Sequence, residues 1–348
     1  MRIDRRKFLW IAAGLAGCSR RATSGPLARA AEFLWAQQAE DGGFHSSTYG
    51  LLRSGQSLTP FALGALLDVP ESVVRRPANS VDRAFEFIRK NTNAQGELGR
   101  MDATSADYPN YATALAVTAF AKARPNGWEK DIAPMVAQLR TQQFGESSGW
   151  KKSDAVYGAW GMGGPIHQPP ETGHVDLSMS RCVLEALRIA GVPTSDPSIT
   201  RALIYLERSQ NPDGGFYFST VNPEINKAGE SGGSFRSYGT ATADGVLALR
   251  AAGIADTDSR MVRATGWLMD HHQPDRAPGF EPGPREEWSS GLRFYYSDAV
   301  SRAVPSLRVA LPAQDADGGF RNPNKMVKED DPLIATTFAI GVLTREFR

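Results

Sequence analysis

Cysteine is nearly missing from this chain, with only Cys18 and Cys182 among 348 residues, so neither a disulfide framework nor a cysteine-built metal centre organises it. An excess of positive or negative charge is missing as well. Lys and Arg number 39 against 38 Asp and Glu, a formal net charge of +1, which offers no broad basic face for nucleic acid. The one sustained apolar run lies near the N-terminus and falls far short of the ~20 residues a membrane-crossing helix needs. Neither a phosphate loop ending in Gly-Lys-Ser/Thr nor a His-Glu-x-x-His string occurs.

Glycine is plentiful, and it is periodic. Five times the chain spells a glutamine, a polar spacer, one or two glycines and an aromatic: Gln38 to Phe44, Gln143 to Trp150, Gln210 to Phe216, Gln273 to Phe280 and Gln314 to Phe320. A sixth, degenerate copy places Gly96 and Leu98 in the corresponding positions. Each copy follows an apolar-periodic stretch (AAEFLWAQQ, APMVAQLRTQQ, RALIYLERSQ, RATGWLMDHHQ, LRVALPAQ) and precedes a second stretch rich in Ala, Leu, Thr and Ser. The second stretches begin after Thr59, Pro109, Asp176, Ser237, Arg293 and Asp331, and they carry less charge than the first. A helix apolar nearly all round must be covered on both faces. Six such helices therefore form an inner ring and six more charged ones an outer ring, an all-α α6/α6 toroid spanning residues 26–348. The glycines suit left-handed helix ends, the glutamine amide suits freed backbone groups, and the aromatic suits the gap between neighbouring outer helices.

The first residues read differently. Arg5-Arg6-Lys7-Phe8-Leu9, a short apolar run and Leu15-Ala16-Gly17-Cys18 match a twin-arginine lipoprotein signal over residues 1–17, with Cys18 as the lipidation site and 18–25 as a linker. The expectation is export by the twin-arginine route and a lipid anchor in a bacterial membrane, on its periplasmic or outer side.

The repeat, together with Asp107-Tyr108-Pro109-Asn110-Tyr111-Ala112-Thr113, Asp176-Leu177-Ser178, Ser237-Tyr238-Gly239-Thr240 and Asp331-Pro332-Leu333-Ile334-Ala335-Thr336, resembles the prenyltransferase and squalene-oxidase repeat proteins. Squalene-hopene cyclases and protein prenyltransferase β subunits share that toroid, and these strings look more narrowly like an exported bacterial branch without an established activity. The resemblance implies an apolar or isoprenoid-type ligand in a central cavity. It does not carry over either chemistry. The cyclases' Asp-x-Asp-Asp acid appears here as Lys328-Glu329-Asp330-Asp331, in which Asp331 before Pro332 also reads as a helix N-cap. The prenyltransferases' zinc ligands are replaced by Ser180 two residues before Cys182 and by Tyr296 at the histidine position, so no metal and no other cofactor is expected.

Two constellations remain. Aligning ALRIAG (186–191) with ALRAAG (248–253) sets Cys182 and Asp244 at one depth, with Asp298 near that level in the next repeat. Asp244 and Asp298 are thus acid/base candidates, with Asp331 a third, unless they are structural partners of Arg181 or Arg302. If all inner helices run the same way, their N-termini open at one mouth, where Arg53, Arg236, Arg293, Tyr108, Tyr111, Tyr238, Tyr295 and Tyr296 cluster. Such a mouth suits an anionic head group above an apolar tail. The alternative is a non-catalytic module whose long loops (about residues 151–175, 217–236 and 275–291) bind another exported protein. A glycan-processing enzyme on an α/α barrel lacks a recognisable acid pair.

Overall fold

A computed structural model describes residues 25–101 and 106–347. The twin-arginine pattern and Cys18 lie outside the described residues. The helices are α1 (Pro26–Ala36), α2 (Leu58–Leu66), α3 (Ser80–Asn91), α4 (Pro109–Ala123), α5 (Trp128–Thr141), α6 (Leu177–Ile189), α7 (Pro197–Ser209), α8 (Gly239–Ala251), α9 (Ser259–His271), α10 (Glu287–Gly291), α11 (Arg293–Ala303) and α12 (Pro332–Phe347).

Helices α2, α4, α6, α8, α11 and α12 pack side by side in that order, and α12 returns to α2, closing a ring. The mean composition of these segments explains their place: α8 buries every residue from Gly239 to Leu249, including Asp244. Outer helices α1, α3, α5, α7 and α9 show the opposite pattern, with one apolar stripe and a charged outer face; α3 hides Phe85 and Ile88 while exposing Glu86 and Lys90.

The turns join the repeats through one recurring device. The Gln38 amide nitrogen donates to Gly42 O at 3.0 Å and to Ser80 O, at the start of the next outer helix, at 2.8 Å. Gln210 does the same to Gly214 O and Arg260 O, both at 2.9 Å. Gln314 reaches Gly318 O at 2.7 Å and Pro26 O at 3.0 Å, which links the last repeat to the first. Each glycine has positive φ and sits where a β-carbon would strike the next helix's backbone: at Gly42 it would meet Arg83 O at 2.3 Å. The residue after the glycines then donates its N–H to a hydroxyl on the inner helix, Phe44 to Thr59 at 2.9 Å, Leu98 to Thr113 at 2.9 Å, Phe216 to Thr242 at 3.0 Å and Phe320 to Thr336 at 2.8 Å. Inner and outer rings are fastened together at these points.

Three repeats differ from the sequence expectation; in the one expected from Gln273 to Phe280, His272 rather than Gln273 reaches the next outer segment, at Arg308 O, 2.7 Å away. The turn that begins at Gln143 does not close at Trp150; Gln143 bonds Gly158 O at 3.0 Å and Ser198 O at 2.8 Å, and Trp160 donates to Ser180 Oγ at 3.0 Å. Residues 144–157 are an insertion within the turn, so Gly158 and Trp160 hold the places assigned to Gly149 and Trp150. The sixth outer segment, LRVALPAQ, is not helical. Pro305 precedes it and Pro312 lies within it, and the six residues between the two prolines are too few to repay helix nucleation once each proline has removed an N–H donor.

Candidate functional site

The inner helices run in the same direction, because one end of the ring gathers their first turns and the other their last. Two chambers result. The first-turn chamber, about 290 Å³, is lined mainly by Leu52, Leu58, Phe61, Met179, Phe218, Leu292, Val327, Ile334 and Phe338, with Tyr108, Tyr111 and Tyr295 among them. The last-turn chamber, about 700 Å³, sets Lys122, Arg181, Arg188, Arg250, Arg302 and Arg345 against Asp68, Glu185 and Asp298, among apolar side chains such as Leu115, Ile189 and Leu247. Phe61, Tyr111 and Phe338 face both. Their rings meet across the axis, Phe61 and Phe338 edge to face at 4.9 Å between centroids and Phe61 and Tyr111 at 6.4 Å, while Tyr295 abuts Phe338 edge to face at 5.4 Å. The axis is thus not one open cavity but an apolar mouth and a charged basin separated by an aromatic septum.

Carboxylates occupy the helix starts at the apolar mouth. Asp176 accepts from Met179 N at 2.7 Å and from His174 Nε2 at 2.7 Å. Asp107 accepts from Ser57 N at 3.1 Å and Ser57 Oγ at 2.6 Å. Asp331 accepts from Leu333 N at 2.9 Å and from Ser46 Oγ, the N-cap role its position before Pro332 suggested. Glu329 accepts from Phe294 N at 2.9 Å, Tyr295 N at 2.8 Å and Asn322 Nδ2 at 2.9 Å. Burial raises the Glu329 carboxyl to about 7 in spite of these donors. The positive ends of α2, α6, α11 and α12 are therefore largely offset within the protein.

None of the three arginines placed at this mouth by sequence lines the chamber. Arg53 is exposed, Arg236 pairs with Glu281, and Arg293 donates to Ala310 O at 2.8 Å. Tyr238 and Tyr296 are buried in the wall, the Tyr296 hydroxyl meeting His272 Nδ1 at 2.9 Å. The chamber's cations are lysines instead. Lys328 donates to the Tyr108 hydroxyl at 2.9 Å, and Lys227 lies over the Phe218 ring at 3.8 Å. Lys227 belongs to a long loop, and no sequence motif marks it.

Asp244 and Asp298 do not share a wall. Asp298 pairs with Arg345 and lines the charged basin, where Gly341 leaves the room its carboxylate needs. Asp244 is fully buried and accepts from Arg181 Nε at 3.1 Å and from the Tyr295 hydroxyl at 2.7 and 2.9 Å. Burial raises it to about 6 against the opposing pull of Arg181 and Tyr295. Arg181 is shared: it also donates to Glu185 Oε2 at 2.7 Å, and Arg302 holds the other Glu185 oxygen. Burial opposes the Glu185 charge, yet Arg302 and Arg181 together keep its carboxyl below the ordinary value. Ser178 Oγ, 2.6 Å from the Tyr295 hydroxyl, completes a hydrogen-bonded chain from the apolar chamber to the basin. Cys182 beside it is pushed up to about 12 by burial, which keeps it a thiol.

Two strings not singled out from the sequence, Gly145-Glu146-Ser147-Ser148-Gly149 and Gly229-Glu230-Ser231-Gly232-Gly233, match the Gly-x-Ser-x-Gly pattern of serine hydrolases. The first is a single 3-10 turn and the second lies in a two-stranded hairpin, neither being the strand-to-helix elbow that activates a serine. Among the described residues no group of three His, Cys, Asp or Glu side chains is arranged to hold a metal ion.

No protein-family model and no curated protein sequence matches the chain. Solved structures do. The type II terpene cyclase MstE from Scytonema shares the fold with a TM-score of 0.59 at 13% identity, over 92% of this chain and 97% of its own. Unsaturated glucuronyl hydrolase from Bacillus sp. GL1 aligns with a TM-score of 0.59 at 16% identity, over 93% of this chain and 95% of its own. A protein from Actinoplanes aligns at 0.54 and 15% identity, over 93% and 99%. The chain has the α/α toroid fold of these proteins; at such identities the likeness extends to the fold alone.

Proposed function

We propose that this protein is an exported toroid that binds an apolar, isoprenoid-type molecule in the first-turn chamber, held at a membrane through an acylated Cys18. The twin-arginine pattern and the Leu15-Ala16-Gly17-Cys18 string support the export and the anchor. The lining of the chamber carries the binding: apolar and aromatic side chains surround it, and its few polar groups gather toward the helix starts. Fold alone does not choose, since a terpene cyclase and a glucuronyl hydrolase share it equally. The lining supports the apolar reading, because Leu58, Phe61, Ile334 and Phe338 offer no partners to the hydroxyls of a sugar. The cyclase was solved with geranylgeranyl dihydroxybenzoate, whose geranylgeranyl chain is a ligand part of the kind proposed here. This is the sense in which the chain is read with the prenyltransferase and squalene-oxidase repeat proteins.

Proton transfer to such a ligand, if the protein performs it, falls to Asp244 acting through Tyr295. Asp244 has a carboxyl near 6, and Tyr295 lines the apolar chamber while Asp331 and Asp298 are engaged elsewhere. The test is mass spectrometry of lipids that co-purify with the full chain and with Ile334→Trp, which fills the chamber from its wall. An isoprenoid retained by the parent and absent from the variant supports the proposal. An empty chamber in a protein that captures one exported partner supports the interaction-module alternative instead.

A further inference from the structure

The charged groups of the apolar chamber divide into those with partners and one without. Asp176 and Glu329 cap helices, and Lys328 donates to Tyr108. Lys227 makes no side-chain hydrogen bond or ion pair with any described residue, although it lines the same chamber. Its ammonium nitrogen stands 3.8 Å from the Phe218 ring centroid and 5.7 Å from that of Trp288. The backbone beneath it is fixed: Arg285 donates to Lys227 O at 3.0 Å, and buried Asn226 bonds Ser219 O at 2.8 Å while accepting from Phe218 N at 2.9 Å. An amine is thus held, outside any direct ion pair, against a cavity that suits hydrocarbon.

Two ligand chemistries answer an unpaired amine, an anion and a carbonyl. Asp176 lines the same chamber and acts on Lys227 electrostatically, and its carboxylate disfavours an added anion while leaving a neutral carbonyl untouched. We propose that Lys227 captures an apolar aldehyde covalently, as an imine formed within the first-turn chamber. The nitrogen lone pair forms the C–N bond as the carbonyl π pair moves to oxygen. The carbinolamine oxygen then takes protons and leaves as water, and the C=N bond forms. The step is a condensation, neutral in redox, with one water released per aldehyde and no co-reactant.

The electrostatics agree. Burial lowers the Lys227 ammonium to about 8, with Asp176 and Asp244 acting in the opposite direction. Roughly a tenth of such a lysine is free amine at neutral pH, against about four parts in ten thousand for a solvated one.

The inference rests on the apolar site proposed above, and one experiment separates the two. The full chain is incubated at pH 7 with decanal and cyanoborohydride, which reduces the imine to a stable secondary amine, and the modified lysines are mapped by peptide mass spectrometry. The expected result is label on Lys227 at about ten times or more the level of any other lysine. Excess decanol suppresses it, and the yield rises through about pH 8. Lys227→Arg loses the label while still binding decanol by native mass spectrometry. Should decanol bind while the label spreads evenly over surface lysines, covalent capture is overturned and the apolar site stands. Should neither decanol nor aldehyde bind, both are overturned. Competition by decanol in the parent chain keeps the test valid even where Lys227→Arg fails to fold.

Discussion

The hydroxyl of Tyr295 lies 2.7 and 2.9 Å from the two carboxylate oxygens of Asp244, and this contact joins the two halves of the toroid's axis. Tyr295 lines the apolar chamber, and Asp244 bonds Arg181, which lines the charged basin. A proton on Asp244 is therefore one hydrogen bond from each side of the septum.

Asp244 makes stability depend on pH in a stated direction. Its folded value, about 6, lies above the ordinary carboxyl value, so between roughly pH 4 and 6 the folded state binds more protons than the unfolded one. Its contribution is fully present below the unfolded value and is lost as pH rises through about 6. Relative to the parent, Asp244→Asn should gain about 2–3 kcal/mol of stability across that window, whatever its constant offset. Urea midpoints of both proteins at several pH values check this; parallel pH curves would show that Asp244 ionises normally.

Removing the base of the pair is a different experiment. Arg181→Met leaves Asp244 buried without its cation and Glu185 with Arg302 alone, a loss of about 3–5 kcal/mol. Arg302→Met, which leaves Asp244 paired, should cost less. The order of the two denaturant midpoints decides, and equal losses would show that the Arg181–Asp244 contact is not special.

Two glycines should respond to alanine with opposite signs. Gly214 has φ of +93° and faces Arg263 O, 2.7 Å from where a β-carbon would lie, so Gly214→Ala should destabilise by about 2 kcal/mol or more. Gly266 lies inside α9 with nothing within 4 Å, and Gly266→Ala should stabilise by about 0.5–1 kcal/mol. Thermal midpoints measure both; a loss at Gly266 would mean that α9 packs differently.

Cys182 should resist alkylation. Buried and held at about 12, it offers almost no thiolate at pH 8. Peptide mapping after iodoacetamide should find it modified in urea and unmodified in the native protein. Equal rates in both would place the thiol in open solvent.

Much of the architecture was legible because the physics is local. Inner segments such as Gly239–Ala251 lack a polar face and have to be enclosed, and a glutamine before glycines announces a turn whose amide must bond carbonyls. Proline spacing also marks LRVALPAQ as a poor helix, a signal that the repeat pattern overrode. The insertion after Gln143 was hidden because Gly149 and Trp150 imitate the turn that Gly158 and Trp160 make. The site was less legible. Aligning helices gives the depth of Asp244 and Asp298 to within a residue, but one residue is a 100° rotation about a helix, enough to send one to Tyr295 and the other to Arg345. Lys227 reaches the chamber from a loop, and the septum of Phe61, Tyr111 and Phe338 comes from three separate helices; neither follows from spacing along the chain.

The most direct measurement is a native mass spectrometry titration of the delipidated full chain with farnesol, a small isoprenoid alcohol. The account predicts one farnesol per chain, saturable, and lost in Ile334→Trp while a basin variant such as Arg188→Ala keeps it. Absence of any complex, or a complex unchanged by Ile334→Trp, would contradict an apolar binding site at the first turns of the inner helices.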